Sequence, residues 1–147
     1  MFKNILVPTD GSKLSLKAAR QAIKLAKALG ARITAFYAAP ELGSTYYGDG
    51  YILRAPSPNA QAEAAKKQAR KYLSAIEVEA DVEKVPCDAY YVVSDSPYEA
   101  IIDAAKKKKC DLILMASHGR RGLSGMVLGS ETHKVLVHSK IPVQVCR

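Results

Sequence analysis

The chain has 147 residues, 48% hydrophobic and 24% charged, with a formal net charge of +8 at pH 7. That length supplies one domain with a core that needs neither disulfides nor metals, and the composition excludes a disordered chain. No apolar run approaches the roughly 20 residues of a membrane span, Ile5-Leu6-Val7 is too short for a secretory leader, and three cysteines (Cys87, Cys110, Cys146) without a CxxC pair argue against zinc and suit a cytoplasmic chain.

Lys3 to Val7 reads as a short apolar strand that stops at the turn Pro8-Thr9-Asp10-Gly11-Ser12. A long helix follows, with Leu16, Ala19, Ile23, Ala26 and Leu29 on its buried stripe and Gly30 as its stop. The second strand spans about Arg32 to Ala38. A long segment from Ala39 to about Pro56 comes next, containing Pro40, Gly43, Tyr46, Tyr47, Gly48, Gly50 and Tyr51. Segments longer than about 12–15 residues in a compact domain are functional or mobile. This one leaves the carboxyl end of the second strand, and a lid, a partner contact and a mobile stretch are all open readings.

The second helix covers about Ser57 to Glu83, with Ala62, Ala65, Ala69, Tyr72, Leu73 and Ile76 on its inner stripe. Ala89 to Val93 is the third strand. Ser96-Pro97-Tyr98-Glu99 starts the third helix, with a capping serine, a proline in the first turn and a glutamate three residues after the cap. That helix runs to about Lys108, and Asp111 to Met115 then reads as a fully buried strand. Beyond a glycine-rich loop, Leu128, Thr132, Val135 and Leu136 recur at helical spacing, and Ile141 to Val145 forms the last strand. Alternating strands and helices predict a single α/β domain, a parallel sheet covered by helices.

The positive charge is spread through the helices, at residues such as Lys13, Lys17, Arg20, Lys24, Lys66, Lys67, Arg70 and Lys71, and the run Lys106 to Lys109 closes a helix where cations complement its negative end. Without interleaved aromatics this is a set of solvated faces that attracts polyanions, rather than a dedicated nucleic-acid surface. The loop within Met115 to Ser130, MASHGRRGLSGMVLGS, has a sharper signal. A strand, then Gly119, Gly122, Gly125 and Gly129, then a helix start is an arrangement that cradles phosphate. Glycine admits close approach of backbone N–H groups, and the helix N-terminus adds unpaired donors. Arg120 and Arg121 add two cations, and Ser130 is either a helix cap or a hydroxyl donor. A plain tight turn accounts for the same glycines.

The chain resembles the universal stress protein family over essentially all of its length. Val7-Pro8-Thr9-Asp10-Gly11-Ser12 follows the first strand, Gly119, nine residues, Gly129 and Ser130 follow the fourth, and Ile141-Pro142-Val143-Gln144-Val145 resembles the family's last strand. One position departs: the first glycine of the second motif should fall at residue 116, which is Ala116. An alanine there costs little at negative φ and blocks close approach at positive φ.

The resemblance implies an open, Rossmann-like five-stranded parallel sheet of order 3-2-1-4-5 with helices on both faces. The winding direction then reverses between the first and fourth strands, where such sheets bind ligands. It further implies an ATP site. Asp10 would meet the ribose or a metal bridging the phosphates, Mg or Mn, although a turn residue at a helix start is an equal reading. Pro8, Thr9 and Ala38 would line base and sugar, Met115 would pack near the base, and Ala116 would belong to the same site. Gly119, Arg120, Gly129, Ser130 and the Glu131 N–H would hold phosphates, and His118 would share the loop without a chemical role. The resemblance also implies a homodimer through the last strand, residues 141–146, an apolar edge prone to pairing.

Neither a GxxxxGK[ST] loop nor a GxGxxG after the first strand is present, so Walker-type and dinucleotide chemistry are not expected. Ser12 and Ser117 lack a recognisable base, and His133 and His138, five apart, do not share a helix face. The expectation is a nucleotide-dependent sensor or switch with at most slow hydrolysis, below about 1 per second. The alternatives are an interaction protein of the family's non-nucleotide branch and a true ATPase on the same fold.

Overall fold

The computed structural model describes residues 1–43, 45–46, 52–53, 56–120 and 128–147. In chain order these form β1 (Asn4–Pro8), α1 (Lys13–Leu29), β2 (Arg32–Ala39), β3 (Thr45–Tyr46), β4 (Ile52–Leu53), α2 (Pro58–Val82), β5 (Cys87–Val93), α3 (Pro97–Lys107), β6 (Leu112–Ala116), α4 (Ser130–His138) and β7 (Val143–Cys146). Five strands pair in parallel in the order β5-β2-β1-β6-β7, which is the expected 3-2-1-4-5 order of the five main strands. β3 and β4 pair antiparallel with each other inside the long tyrosine-bearing segment, where no strands were expected. Tyr47, Gly48, Gly50 and Tyr51 lie outside the described residues, as do Arg121, Gly122 and Gly125.

The central strands are apolar without a break because both of their faces are covered. Ile5, Leu6 and Val7 are buried in β1, and all of Leu112–Ala116 is buried in β6. Side chains alternate between the faces. Ile5, Val7, Ile33, Ala35 and Leu114 pack against α1 and α2, whereas Leu6, Phe36, Ile113 and Met115 pack against α3 and α4. α1 meets the sheet mainly through Ala18, Ala19, Ala22, Ile23 and Ala26, so its axis lies close to the strands. Leu16 and Leu29, expected on that stripe, are only half-buried at its margins. Two ion pairs, Arg20 with Glu79 at 2.6 Å and Lys27 with Glu83 at 2.8 Å, fasten α1 to α2. Both pairs are exposed and contribute little to stability.

The amino ends of β1 and β6 are joined by one carboxylate. Asp111 accepts hydrogen bonds from the Lys3 N–H at 2.8 Å and the Asn4 N–H at 3.0 Å. Asn4 in turn accepts from Thr34 Oγ1 at 2.9 Å and donates to the Lys108 carbonyl at 3.0 Å. These bonds hold the bottom of the sheet together and leave the opposite, carboxyl edge for the site.

The structure differs from several sequence expectations. Ala62 is exposed because α2 reaches the sheet only from Ala65 onward, through Ala65, Ala69, Leu73, Ile76 and Ala80. Leu128 is half-buried and Leu136 is exposed, since α4 turns Thr132 and Val135 inward instead. The Ser96 side chain makes no capping bond; the α3 end is satisfied by Glu131 of α4, which accepts the Tyr98 N–H at 2.9 Å. β5 starts two residues before Ala89, and β7 starts at Val143 rather than Ile141.

Ile76 is 1% exposed on α2 whereas Val78, two residues on, is 63% exposed. Ile76→Ala is therefore expected to lower unfolding stability by about 2–5 kcal/mol, and Val78→Ala to change it by less than about 0.5 kcal/mol. Urea titrations of the two variants check this.

Candidate functional site

The strand order reverses between β1 and β6, which pair through Ile5 with Leu112 and Leu6 with Ile113. Connections leave these strands in opposite directions, so their carboxyl ends open onto a crevice. The crevice is a cavity of about 800 Å³. Its lining contains Pro8, Thr9, Asp10, Ala38, Met115, Ala116, His118, Gly119, Arg120, Gly129, Ser130 and Glu131, the residues expected to hold a nucleotide. Two stretches more than a hundred residues apart in the chain therefore share one concave surface.

The β1 side is a small polar network. Ser12 caps α1 by accepting the Ser15 N–H at 3.1 Å. Ser15 Oγ lies 3.0 Å from Thr9 Oγ1, and Thr9 Oγ1 also accepts the Gly11 N–H at 3.1 Å. Gly11 has φ of +78°, a conformation L side chains rarely adopt, and the Tyr72 ring occupies the space a Cβ would fill.

Asp10 links this network to the glycine loop. Its Oδ1 accepts the Ser12 N–H at 3.0 Å and its Oδ2 accepts the Arg120 N–H at 2.7 Å. A Cβ at residue 119 would collide with the same carboxylate, so the glycine there is what lets the two loops touch. Burial by itself would raise the Asp10 pKa, but hydrogen bonds from Ser12 and from the Arg120 N–H outweigh it and hold the group below the usual carboxylate range. Asp10 is thus the clip between the two halves of the crevice, a role the motif alone did not reveal.

On the β6 side, Ala116 sits at negative φ: among the described residues, only Lys84 and Lys109 of the non-glycines have positive φ. The alanine in place of the family's glycine therefore carries no backbone strain. The Ala116 carbonyl accepts Thr132 Oγ1 at 3.0 Å, and the Ser117 carbonyl accepts the Gly129 N–H at 2.7 Å. These bonds seat the start of α4 on the end of β6. Gly129, rather than Ser130, is the N-cap; Ser130 is the exposed first residue of the helix. The N–H groups of Ser130, Glu131 and Thr132 lie in the first turn, where an α-helix provides no acceptor, and they border the cavity.

Arg120 folds across the mouth. Its guanidinium lies 5.0 Å from the centre of the Tyr72 ring and reaches 3.5 Å from the Gly11 carbonyl. Tyr72 in turn meets Tyr37 edge to face, with ring centres 5.1 Å apart. Tyr37 and Tyr72 are cavity residues that sequence reading missed or assigned to the core. The signal for Tyr72 is its place one residue before the buried Leu73 stripe, toward α1. Asp95, Pro97 and Ile101 also border the cavity, and only the position of α3 in the fold brings them there.

Among the described residues no group of three or more acidic, histidine or cysteine side chains could hold a metal. Glu131 is committed, accepting from Tyr98 N–H and from Lys134 Nζ at 3.1 Å. The three cysteines are half-buried (Cys87) or buried (Cys110 and Cys146), and burial raises all three thiols, Cys87 to about 11.

A family model described as the universal stress protein family matches residues 1–147. The chain belongs to the universal stress protein family. Universal stress protein MJ0531 of Methanocaldococcus jannaschii is 31% identical over 150 residues, spanning 100% of this chain and 83% of the relative. Universal stress protein YxiE of Bacillus subtilis is 32% identical over 149 residues, spanning 100% of both chains. Among solved structures, a universal stress protein in complex with cAMP shares the fold at a TM-score of 0.73 and 22% identity, covering 99% of this chain and 97% of that one. The universal stress protein from Archaeoglobus fulgidus in complex with dAMP aligns at a TM-score of 0.65 and 18% identity, covering 99% and 98%.

The Asp10 clip has a pH signature. A carboxylate whose folded pKa is depressed stabilises the fold above the unfolded value of about 3.9 and loses that contribution as pH falls through the lower folded value. Asparagine has one acceptor oxygen where Asp10 uses two. Asp10→Asn is expected to cost about 1–2 kcal/mol at pH 7, with the gap to wild type narrowing below about pH 4. Denaturant titrations across pH 3–7 check the sign; a gap that widens in acid contradicts the clip.

Proposed function

We propose that this cavity binds an adenine nucleotide, ATP with Mg or Mn bridging its phosphates, and that the protein is a nucleotide-dependent stress-response switch with at most slow hydrolysis. The observation that carries the reading is convergence: the β1 turn, the Gly119–Arg120 loop and the N-terminus of α4 border one cavity of nucleotide size. Adenine nucleotides bound in two proteins of the same fold support it.

In this reading Ala38, Met115, Pro8 and Thr9 provide the apolar and backbone surface for base and sugar. The first-turn N–H groups of α4, with Ser130 Oγ, receive the phosphates. Arg120 leaves the Tyr72 face to neutralise them. Asp10 keeps lone pairs beyond the two it uses in the clip, which leaves room for a ribose hydroxyl or a phosphate-bound metal. A bound metal would supply charge neutralisation between phosphates, and Asp10, which contacts the described part of the glycine loop, would be the protein carboxylate to help hold it.

The last strand supports a homodimer in the same proposal. Val143 and Val145 are half-buried on β7, and Leu136 and Val137 of α4 are exposed at 41% and 61%. Light scattering is expected to give more than one chain per particle at micromolar concentration, and a monomer refutes it.

Calorimetric titration of nucleotide-free protein with ATP, ADP and AMP in Mg²⁺ tests the site. Saturable binding near one per chain is expected, lost in Gly119→Val because the new side chain displaces the Asp10 carboxylate. Ala116→Gly is expected to change affinity by less than about threefold, under 1 kcal/mol, since residue 116 has negative φ. If none of the three nucleotides binds, the interaction-protein reading replaces this one.

A further inference from the structure

β5 is the edge of the sheet opposite β7, and it is the longer of the two, seven residues against four. Its backbone is half used. The Pro86 carbonyl accepts the Ile33 N–H and the Ser94 N–H donates to the Ala39 carbonyl, so even-numbered residues from 86 to 94 face β2. Cys87, Ala89, Tyr91 and Val93 therefore turn their N–H and C=O groups outward, and no bond to those groups is made among the described residues.

Edges are ordinarily blunted by proline, a bulge or an unpaired charge. β5 has none of these. Its register with β2 runs unbroken from Cys87 to Val93, it contains no proline, and its one charge, Asp88, is paired with Arg32. Ala89 is exposed, as are Tyr91 at 37% and Val93 at 49%, all on the α2 face.

The charge pattern beside the edge identifies what it fits. Lys66, Arg70, Glu77 and Asp81 share one stripe of α2 at helical spacing. Glu79 on one flank of α2 pairs with Arg20 of α1, so this stripe, on the opposite flank of a helix that packs on β2 and β5, lies on the β5 side. The helix runs down the sheet, with the two cations toward the carboxyl end of β5 and the two carboxylates toward its amino end. The middle of the stripe is level with the middle of the strand, because the Tyr72 ring packs on Tyr37, which is in register with Tyr91. Beyond Glu63, which opens the stripe one turn earlier, its two cations and two carboxylates lie on opposite sides of the centre of the open strand, so turning one copy end over end brings opposite charges together.

We propose that the β5 edge is a homotypic interface, in which a second copy of this chain pairs antiparallel with it about a two-fold axis at Tyr90. The register that uses all seven residues sets Ala89 against the copy's Tyr91, small against large, and Cys87 against its Val93. α2 lies over β2 and β5, so the two α2 helices come side by side at roughly the 10 Å of packed helices, with Lys66 and Arg70 facing the other copy's Glu77 and Asp81. On the other face α3 stands back from the edge. There Lys107, 3.1 Å from Tyr90 Oη, shares a groove with Glu99 and Asp103, and Lys108 lies over the Tyr90 ring. The interface is separate from β7 and from the nucleotide cavity.

Residue-resolved amide exchange on the full-length wild-type chain over a hundredfold dilution range tests it. The Ala89, Tyr91 and Val93 amides are expected to be protected at high concentration and to lose that protection on dilution. Ala89→Pro removes an outward N–H that the sheet does not use, so the domain keeps its own pairing while the Tyr91 and Val93 protection is lost. Lys66→Glu with Arg70→Glu, which leaves the strand intact, is expected to shift the protection midpoint to at least about tenfold higher concentration. Tyr91 and Val93 amides that exchange at one rate at all concentrations overturn the interface. Protection that the charge reversal leaves unmoved overturns the antiparallel copy as its occupant.

Discussion

The pairing of β1 with β6 is the constraint on which everything else rests. The two strands are distant in the chain and, Asn4 apart, apolar and buried on both faces, so neither is stable except beside the other under two layers of helix. Once they pair, topology obliges the chain to wind away on both sides, and the seam becomes an open crevice at their carboxyl ends. Asp111 fastens the closed end of this seam, and Asp10 spans the open end. Each carboxylate accepts two backbone N–H groups, and each joins segments on the two sides of the seam.

This arrangement ties binding to loop position. In the proposed reading, the carboxylate that would meet a ribose or a metal, Asp10, also holds the Gly119–Arg120 loop, and the cation that would meet phosphate, Arg120, rests on an aromatic ring. A polyanion entering the crevice competes for both at once. Differential contact of this kind is what a ligand needs to shift a conformational equilibrium, because equal affinity for two states moves neither.

The fold was legible because its signals are periodic. Unbroken apolar runs marked β1 and β6, and alternation of element types marked the parallel sheet. The cavity lining was legible as a set of residues but not as a circuit. Which carboxylate oxygen meets which N–H, and that Tyr72 flanks the mouth while Leu73 beside it is core, depends on helix rotation of a few tens of degrees. Ser96 shows the same limit: its sequence has the form of a capping box, yet Glu131 from another helix caps α3, a non-local bond invisible to local pattern. Ala116 reversed the usual relation. The residue that departs from the motif is unstrained, whereas Gly119, which agrees with it, is required by a protein contact as much as by any ligand. Ala62 was misplaced because periodicity gives a stripe its angle but not its length, and Leu136 because two inward residues in a short helix leave that angle loosely fixed.

The sulfur in this chain leads to a different point. With a thiol pKa of about 11, Cys87 is ionised in only about one molecule in ten thousand at neutral pH, and burial pushes Cys110 and Cys146 the same way. Peroxides and electrophiles attack the thiolate, so burial lowers the reactivity of all three thiols. The sulfur of this fold therefore serves packing in the sheet and its helices rather than thiol chemistry.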